Sequence, residues 1–223
     1  MTRELQAVLF DLDGTVCDTE PSWMAAEFAM AKRYGAEWTP ADGLALVGND
    51  LIVSGTYIKE RMGLTQSVDD VVEELLAGVM AAVAERGPAW RPGALELLAA
   101  CNDAEVPTAL VTMSYTNFAT ALLDKMPRGH FDAIVTGDQV SHGKPAPDPY
   151  LLAAELLGVD ATLCIAIEDS PTGAASAEAA GCLVVVVPNH VEVSSDGRRH
   201  QVASLAKLQV EDLRMLLEQD VRV

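Results

Sequence analysis

Residues 7–15 read AVLFDLDGT, an apolar run that ends in two acids, a glycine and a threonine. The first four of these residues are typical of a buried parallel strand. Because side chains alternate along an extended chain, we expect Asp11 and Asp13 on one side and Leu12 on the other. Two carboxylates at a strand end repel each other unless a cation lies between them, and one can then attack an electrophile. The alternative is an acidic turn without chemistry, because Asp-Gly is common in turns.

The composition limits the class of protein and its partners. The 223 residues suffice for one large α/β domain or for a core with an inserted smaller domain, and half of them are hydrophobic. Lys and Arg number 15 against 33 Asp and Glu, so the net charge is −18. We expect no binding to nucleic acid or to an anionic membrane surface, because both are polyanions. A phosphate substrate would also be repelled, unless a local cation and a well-placed lysine offset the charge.

The cysteines and the apolar runs predict where the protein is found. No two cysteines form a Cys-x-x-Cys pair, which indicates neither a zinc site nor a disulfide framework and suits a reducing cytoplasm. No apolar signal core precedes Asp11, and no later apolar run approaches the ~18 residues of a membrane-spanning helix. We therefore expect a cytoplasmic protein. A separate prediction, which does not follow from these patterns, is that it is a monomer or a weak dimer.

The remainder of the chain divides into a helical part and an alternating part. Residues 20–86 show helical spacing of apolar residues almost throughout, and Gly87-Pro88 ends that pattern. The predicted helices of this part are Ser22–Tyr34, Pro40–Val47, Leu51–Met62 and Val68–Val83. Helices and strands then alternate, with predicted strands at Thr108–Val111, Ala133–Val135, Leu163–Ile167 and Leu183–Val187. Helices are predicted at Pro92–Asn102, Asn117–Lys125, from the caps Asp148 and Ser170, and at Val210–Leu217.

This alternation predicts an α/β fold with a doubly wound parallel sheet and an inserted α-helical cap domain. The predicted catalytic core comprises residues 1–16 and 88–223, and the predicted cap comprises residues 17–87. An insertion directly after the acidic turn would lie above the carboxyl edge of the sheet, where open α/β sheets bind ligands. The cap is therefore expected to act as a lid.

Thr112 ends the second predicted strand and leads through Met113 and Ser114 towards a helix. A hydroxyl group and free backbone N–H groups before a helix form an anion-binding nest. The alternative is an ordinary helix cap by Ser114 or Thr116.

Residues 143–149 read GKPAPDP, which places Lys144 between a glycine and three prolines. Prolines fix φ and restrict this loop, so the ammonium group is held in place at a low entropic cost. A positioned charge of this kind suits the neutralisation of a phosphate or a carboxylate. The alternative is a solvated surface lysine.

Glu168 and Asp169 follow a third apolar strand, and Ser170 after them supplies a helix cap. Four acids at the ends of two strands are costly without a metal ion, and a ligand set made only of oxygen atoms points to Mg²⁺.

In this order, the four segments resemble the motifs of the haloacid dehalogenase superfamily of phosphotransferases. The helical insertion is similar to the small cap of the β-phosphoglucomutase-like branch, and the resemblance covers most of the chain. It implies that Asp11 is the nucleophile that attacks phosphorus and that Asp13 is the general acid and base. It also implies that Lys144 bridges Asp11 and the phosphate.

The resemblance further implies a phosphate site and a metal site. Thr112 and its surroundings would hold the phosphoryl oxygens, and the residues expected there besides Thr112 are Leu12, Met113, Ser114 and Asn117. Mg²⁺ would be bound by the carboxylates of Asp11 and Asp169 and by the backbone carbonyl of Asp13, with Glu168 acting through a water molecule.

The cap residues bear on the type of reaction. β-Phosphoglucomutases carry a histidine shortly after the first motif and an arginine in a cap loop. Here Trp23 lies near that histidine position, and no basic residue lies between Gly48 and Ile58. The segment around Glu20 and Trp23 is more similar to bacterial sugar-phosphate phosphatases. Glu20, Trp23, Asn49 and Asp50 are the candidates for contact with the leaving group, although Trp23 could serve only cap packing and the latter two a helix start.

The prediction is therefore a Mg²⁺-dependent phosphomonoester hydrolase that acts through an aspartyl-phosphate on small phosphorylated metabolites, sugar phosphates first among them. Asp13 at the second acid position argues against carbon–halogen cleavage. A β-phosphoglucomutase-type phosphomutase and a catalytically idle regulatory or binding member of the same fold are the alternatives.

Overall fold

The computed structural model describes residues 4–195 and 198–220, which form one six-stranded parallel sheet with helices on both faces. The predicted α/β class is confirmed. The strands are β1 (Ala7–Phe10), β2 (Thr108–Val111), β3 (Ala133–Val135), β4 (Cys164–Glu168), β5 (Leu183–Val186) and β6 (Arg199–Gln201). The helices are α1 (Glu20–Tyr34), α2 (Pro40–Leu44), α3 (Leu51–Met62), α4 (Val68–Arg86), α5 (Ala94–Asp103), α6 (Thr116–Leu123), α7 (Asp148–Leu157), α8 (Pro171–Ala179) and α9 (Val210–Gln219).

The strand order β3-β2-β1-β4-β5-β6 places β1 at the centre of the sheet. Phe10 at its end is level with Leu110 of β2 and with Ile167 of β4. The chain builds the sheet first to one side of β1 and then to the other, so the order reverses between β1 and β4. In open α/β sheets the ligand crevice lies outside the carboxyl ends of the strands at such a reversal. The acids that follow β1 and β4 are therefore located where this fold binds ligands.

Both faces of the sheet are buried, as the continuous apolar runs predict. Val8 and Phe10 belong to an apolar cluster with α5, α6 and α9, and Ala7 and Leu9 belong to a second cluster with α7 and α8. Successive side chains of β1 point to opposite faces of the sheet, and a helical layer covers each face. Every residue of such a strand is therefore buried, and all four are apolar.

Helices α1 to α4 lie between β1 and α5 in the chain, as the helical pattern predicts. Helix α4 contacts α1 and α3, and α1 also contacts α2. Buried residues such as Met30, Val72 and Val79 join these helices into the larger apolar cluster. The boundaries of a cap at 17 and 87 stay a prediction. None of the described helices is both long and apolar enough to cross a membrane.

Two elements differ from the sequence prediction. The helix predicted for residues 40–47 ends at Leu44, and the chain continues in turns to Gly48. Gly43 lies inside this short helix, and glycine lowers helix stability by about 1 kcal/mol relative to alanine. Strand β6 has no apolar run to reveal it, because it is a half-exposed edge strand.

The predicted cap of α7 is also wrong. Asp148 is the first residue of the helix, the capping position is occupied by Pro147, and no side chain caps the first turn. The Asp148 carboxylate instead lies 2.9 Å from Nδ1 of His142. Ser170, by contrast, caps α8 as predicted, since its hydroxyl accepts a hydrogen bond from the Gly173 amide.

A close approach of two backbone segments depends on Gly93, which precedes α5 with a φ of +86°. A Cβ atom at this position would lie 2.1 Å from the backbone nitrogen of Ala206. We expect Gly93→Ala to lower the free energy of unfolding by about 3 kcal/mol or more, since the added atom would meet backbone that the surrounding packing holds in place. Urea denaturation monitored by circular dichroism measures this loss.

Gly158→Ala is the matched control, because Gly158 has a φ of +69° and nothing within 4 Å of the added Cβ. Its free energy of unfolding should fall only by the cost of the left-handed conformation, about 1 kcal/mol. Equal losses in the two variants would contradict the proposed backbone contact at Gly93.

Candidate active site

Three carboxylates meet beyond the carboxyl ends of β1 and β4. Asp11, Glu168 and Asp169 each place an oxygen atom within 4.8 Å of the others, and all three side chains are buried. Within the described part of the chain, Oδ2 of Asp11 and both carboxylate oxygens of Asp169 have no hydrogen-bond partner. Buried carboxylates without partners are costly, and oxygen atoms are the ligands that hard divalent cations prefer. This set of donors therefore fits a divalent cation.

Gly14 lets the turn after β1 approach this cluster. Its φ is +85°, and a Cβ atom there would lie 1.9 Å from Oδ2 of Asp169. Glycine is thus needed at this position both for the left-handed backbone and for the space that the carboxylate occupies.

Lys144 is the cation of the cluster. Its Nζ donates hydrogen bonds to Oδ1 of Asp11 at 2.7 Å, to Oε1 of Glu168 at 2.6 Å and to the carbonyl oxygen of Val111 at 2.9 Å. The alternative of a solvated surface lysine is wrong, because only 4% of this residue is exposed. Burial alone would lower the pKa of Lys144, but the carboxylates of Asp11 and Glu168 outweigh it and raise that pKa above its usual value.

One ammonium group does not balance three carboxylates. Burial raises the pKa of Asp11 to about 8, with Lys144 opposing the shift and repulsion from Glu168 and Asp13 adding to it. Burial also raises the pKa of Asp169, and the charges of Asp11 and Glu168 raise it further. The cluster therefore favours the uptake of positive charge, which a divalent cation supplies.

Tyr150 is a member of the site that sequence reasoning missed. Its hydroxyl donates a hydrogen bond to Oε1 of Glu168, the oxygen that also accepts from Lys144, and its ring centroid lies 5.2 Å from the Lys144 ammonium. Oε2 of Glu168 accepts a longer hydrogen bond, of 3.3 Å, from the Ser170 hydroxyl. In the sequence, Tyr150 follows a proline at a helix start and cannot be distinguished from an ordinary core residue.

The second acid, Asp13, lies apart from the cluster and is held by four donors. Its Oδ1 accepts hydrogen bonds from the Thr19 hydroxyl and, at 3.1 Å, from the Trp23 indole. Its Oδ2 accepts from the hydroxyls of Thr112 at 3.0 Å and Ser114 at 2.8 Å. Core and cap segments thus orient this carboxylate together. Thr19 was not predicted, because nothing in the sequence shows that the residue before α1 contacts Asp13.

A cavity opens onto this arrangement and is lined by residues of α1 to α4 and by residues at the carboxyl edge of the sheet. Of the predicted residues, the cavity is lined by Asp11, Asp13, Glu20, Trp23, Asn49, Met113, Ser114 and Lys144.

Three predicted phosphate-binding residues do not reach the cavity with their side chains. Thr112 is fully buried and donates to Asp13. Asn117 is exposed, and its side-chain oxygen accepts a hydrogen bond from the Phe118 amide at the start of α6. The side chain of Leu12 is fully buried in the apolar core, as alternation along the strand predicts.

The cap candidates serve partly structural purposes. Asp50 caps α3 through the amides of Ile52 and Val53, which matches the predicted helix start. Asn49 donates to the carbonyl oxygen of Ala45 and accepts from the hydroxyl of Thr172 on α8. It therefore ties the cap to the core beside the cavity.

Comparison with known proteins identifies the family. Residues 5–181 match the family model of the haloacid dehalogenase-like hydrolases. The chain belongs to this family, and the predicted family and phosphatase class are confirmed. Hexitol phosphatase A of Escherichia coli K12 is 36% identical over 179 residues, which cover 80% of this chain and 81% of that protein. Hexitol phosphatase B of the same strain is 30% identical over 222 residues, covering 95% and 97% of the two chains.

Among solved structures, the fold is similar to that of a β-phosphoglucomutase from Clostridium difficile. The TM-score is 0.84 at 23% sequence identity, with 96% of this chain and 98% of that chain covered. At this identity the likeness concerns the fold alone.

The unpartnered oxygens of Asp169 lead to a stability prediction. Asp169→Asn should raise the free energy of unfolding in a chelator by about 1–3 kcal/mol, because it removes a buried charge that lacks a partner. Millimolar MgCl₂ should then stabilise the wild type but not the variant, since ligand binding to the folded state raises its stability. Thermal unfolding with and without the metal measures both effects.

Asp103→Asn, at an exposed aspartate at the end of α5, is the control and should behave like the wild type in both conditions. An equal metal-dependent stabilisation of the wild type and Asp169→Asn would argue against a cation at this cluster.

Proposed function

We propose that the protein is a Mg²⁺-dependent phosphatase of small phosphate monoesters that works through a phosphorylated Asp11. The observation that carries the proposal is the buried cluster of Asp11, Glu168 and Asp169, which is joined to Lys144 and borders a cavity through Asp11 and Lys144. The hexitol phosphatases among its relatives support sugar or polyol phosphates as the substrate class.

Asp11 and Asp169 would hold Mg²⁺, together with the backbone carbonyl of Asp13, and Glu168 would act through a water molecule. The unpartnered oxygens of Asp11 and Asp169 support this assignment. When bound, Mg²⁺ would offset the negative charge that accumulates on the phosphoryl oxygens. The ammonium group of Lys144, already 2.7 Å from Asp11, would neutralise the same charge from the other side.

In the first step, a carboxylate oxygen of Asp11 attacks phosphorus, and the bond between phosphorus and the ester oxygen breaks. Asp13 gives its proton to the departing alcohol oxygen. In the second step, Asp13 takes a proton from water, and this water attacks the phosphorus of the acyl phosphate. Inorganic phosphate leaves, and the Asp11 carboxylate is regenerated.

The position of Asp13 supports its role as general acid and base. It borders the cavity, and hydroxyl and indole donors hold both of its oxygens. Each oxygen accepts two hydrogen bonds, so proton transfer to a substrate requires that at least one donor give way. The Ser114 hydroxyl borders the cavity and would exchange Asp13 for a phosphoryl oxygen. Thr112 is fully buried, so its phosphate-binding role stays a prediction; it donates to Asp13 and accepts from the Ser114 amide.

The mutase alternative finds less support in the cavity. A phosphomutase that uses a sugar bisphosphate must bind a second phosphate at the cap end. Of the described residues that line the cavity, Lys144 alone is basic, and it lies at the acidic cluster. The idle alternative is disfavoured because Asp11, Glu168 and Asp169 are assembled and buried together with Lys144.

We further propose a cytoplasmic location, which the four free and buried cysteines support, since such thiols persist in reducing compartments. A monomer or weak dimer without nucleic-acid or membrane partners stays a prediction from the net charge of −18 and the composition.

Loss of the nucleophile tests the reaction. Asp11→Asn should lower kcat for phenyl phosphate at least about 10³-fold, because the amide cannot form the phosphoenzyme. Release of inorganic phosphate in excess Mg²⁺ measures the rate. EDTA should also abolish the activity of the wild type, and added Mg²⁺ should restore it.

Glu73→Gln, at an exposed glutamate on α4, is the control that should keep full activity. Activity that survives Asp11→Asn, or that persists in EDTA, would overturn the proposed mechanism.

The partition between water and sugar as phosphoryl acceptors distinguishes hydrolase from mutase. With glucose 1-phosphate and a trace of glucose 1,6-bisphosphate, we expect release of inorganic phosphate to exceed formation of glucose 6-phosphate. The physical reason is that the described cavity offers no second cation for the bisphosphate. ³¹P NMR follows both products in one sample, and faster isomerisation would establish the mutase instead.

A further inference from the structure

Two glutamates of α1 line the cavity, and the proposed mechanism uses neither. Glu20 is close enough to the catalytic acids for its charge to act on Asp13 and Asp169, whereas Glu27 lies two helical turns further along α1. Glu20 and Glu27 lie seven residues apart on α1, on the helix face that also carries Trp23. They are 7% and 3% exposed, so both carboxyl groups are removed from bulk water. A helix rises ~1.5 Å per residue, so their backbones are ~10 Å apart along the cavity.

Glu27 is held in a defined position. Its Oε2 accepts a hydrogen bond of 3.1 Å from the Trp38 indole, and the Trp38 ring packs edge-on against Tyr57. A Cβ atom at Gly43 would lie 2.7 Å from the same oxygen, so the absence of a side chain there leaves room for the carboxyl group. Glu27 was not predicted, because in the sequence it is one acid among many on an amphipathic helix.

The oxygen atoms of these two carboxyl groups can accept further hydrogen bonds. Neither oxygen of Glu20, nor Oε1 of Glu27, has a hydrogen-bond partner within residues 4–195 and 198–220. Burial raises the pKa of Glu20 to about 8, and repulsion from Asp13 and Glu27 adds to the shift. Burial raises the pKa of Glu27 to about 7, although the hydrogen bond from Trp38 opposes that shift. Buried polar groups of this kind are satisfied when a ligand supplies donors.

The rest of the lining decides which donors fit. On the cap side it is apolar, with Leu46, Val47, Leu51 and Leu75, and its remaining polar groups are neutral. The single basic group among the described lining residues, Lys144, is already bonded to Asp11 and Glu168. A hydroxyl group can donate to the glutamates, whereas a second phosphate or a carboxylate would find no free cation among the described lining residues and would face two acids that ionise near neutral pH.

We propose that Glu20 and Glu27 accept hydrogen bonds from hydroxyl groups along the substrate's leaving group. The enzyme thereby selects phosphate monoesters of neutral polyhydroxylated alcohols and rejects substrates that carry a second anionic group. This inference rests on the proposed phosphatase function, and it adds the residues that determine specificity and the direction in which they select.

The test compares three esters on the full-length protein loaded with Mg²⁺. Sorbitol 6-phosphate offers hydroxyl groups, fructose 1,6-bisphosphate adds a second phosphate, and phenyl phosphate lacks both and serves as the reference. For the wild type, kcat/KM should be highest for the sorbitol ester and lowest for the bisphosphate. The variants are Glu20→Gln, Glu27→Gln and their combination, since the side-chain carbonyl of the introduced glutamine can still accept a hydrogen bond from Trp38.

Relative to phenyl phosphate, kcat/KM for sorbitol 6-phosphate should fall about tenfold in each single variant and about 10²-fold in the double variant. The same ratio for fructose 1,6-bisphosphate should rise, because the amide of glutamine cannot ionise and so cannot repel the second phosphate. A merely structural role of the glutamates would lower all three activities together and would not reverse the preference. Gly43→Ala, which crowds Oε2 of Glu27, should behave like Glu27→Gln.

Glu73→Gln is the matched control for the loss of a cap carboxylate on the exposed side of α4. Unchanged ratios in the double variant, or wild-type hydrolysis of the bisphosphate as efficient as that of the sorbitol ester, would overturn the inference while leaving a phosphatase. A wild type that releases no phosphate from any of the three esters would overturn the proposed function, and this inference with it.

Discussion

The structure depends on charge compensation between a lysine and carboxylates that are buried away from water. Lys144 is buried between Asp11 and Glu168, and it can remain charged there only because both carboxylates lie within hydrogen-bonding distance. The same carboxylates exceed the charge of the single ammonium group, and Asp169 adds a further acid without a partner. A buried surplus of negative charge is unfavourable for the folded protein alone. It becomes favourable when a cation or a phosphoryl group with its metal enters.

The sheet explains how such a costly cluster can be assembled. Parallel strands end at the same edge, and the reversal of strand order between β1 and β4 leaves a crevice in which their following residues meet. Gly14 removes the atom that would otherwise occupy the place of the Asp169 carboxylate. The two apolar layers fix the strands, so the energy of the core holds the acids together against their mutual repulsion.

The helical insertion also contributes carboxyl groups, but no basic group, to the described lining of the cavity. Trp23 and Thr19 contact Asp13, so the helical insertion takes part in orienting a residue of the core. Glu20 and Glu27 bring further carboxyl groups to the lining, and no described lining residue on the cap side is basic. Attraction for the reacting phosphate is thus confined to the region of Lys144 and the metal ligands, although the whole chain carries a charge of −18. Selection by the cap would then work through hydroxyl groups and through repulsion of surplus charge.

The amino-acid sequence by itself determined strands β1 to β5, the helical insertion and the residues at the strand ends, because apolar runs and the order of acids and Lys144 are local patterns. It did not reveal the contact of Tyr150 with Glu168, the four donors on Asp13 or the placement of Glu27. Most of these contacts join residues that are distant in the chain. A tyrosine or glutamate on an amphipathic helix also gives the same sequence pattern whether its side chain faces solvent, the core or a cavity. Asn117 is the opposite case: the sequence predicted it in the phosphate site, but its position on α6 leaves its side chain exposed to solvent. Which side chains share the cavity was decided only by tertiary packing, because the rotation of each helix about its axis is set by the neighbours that it buries.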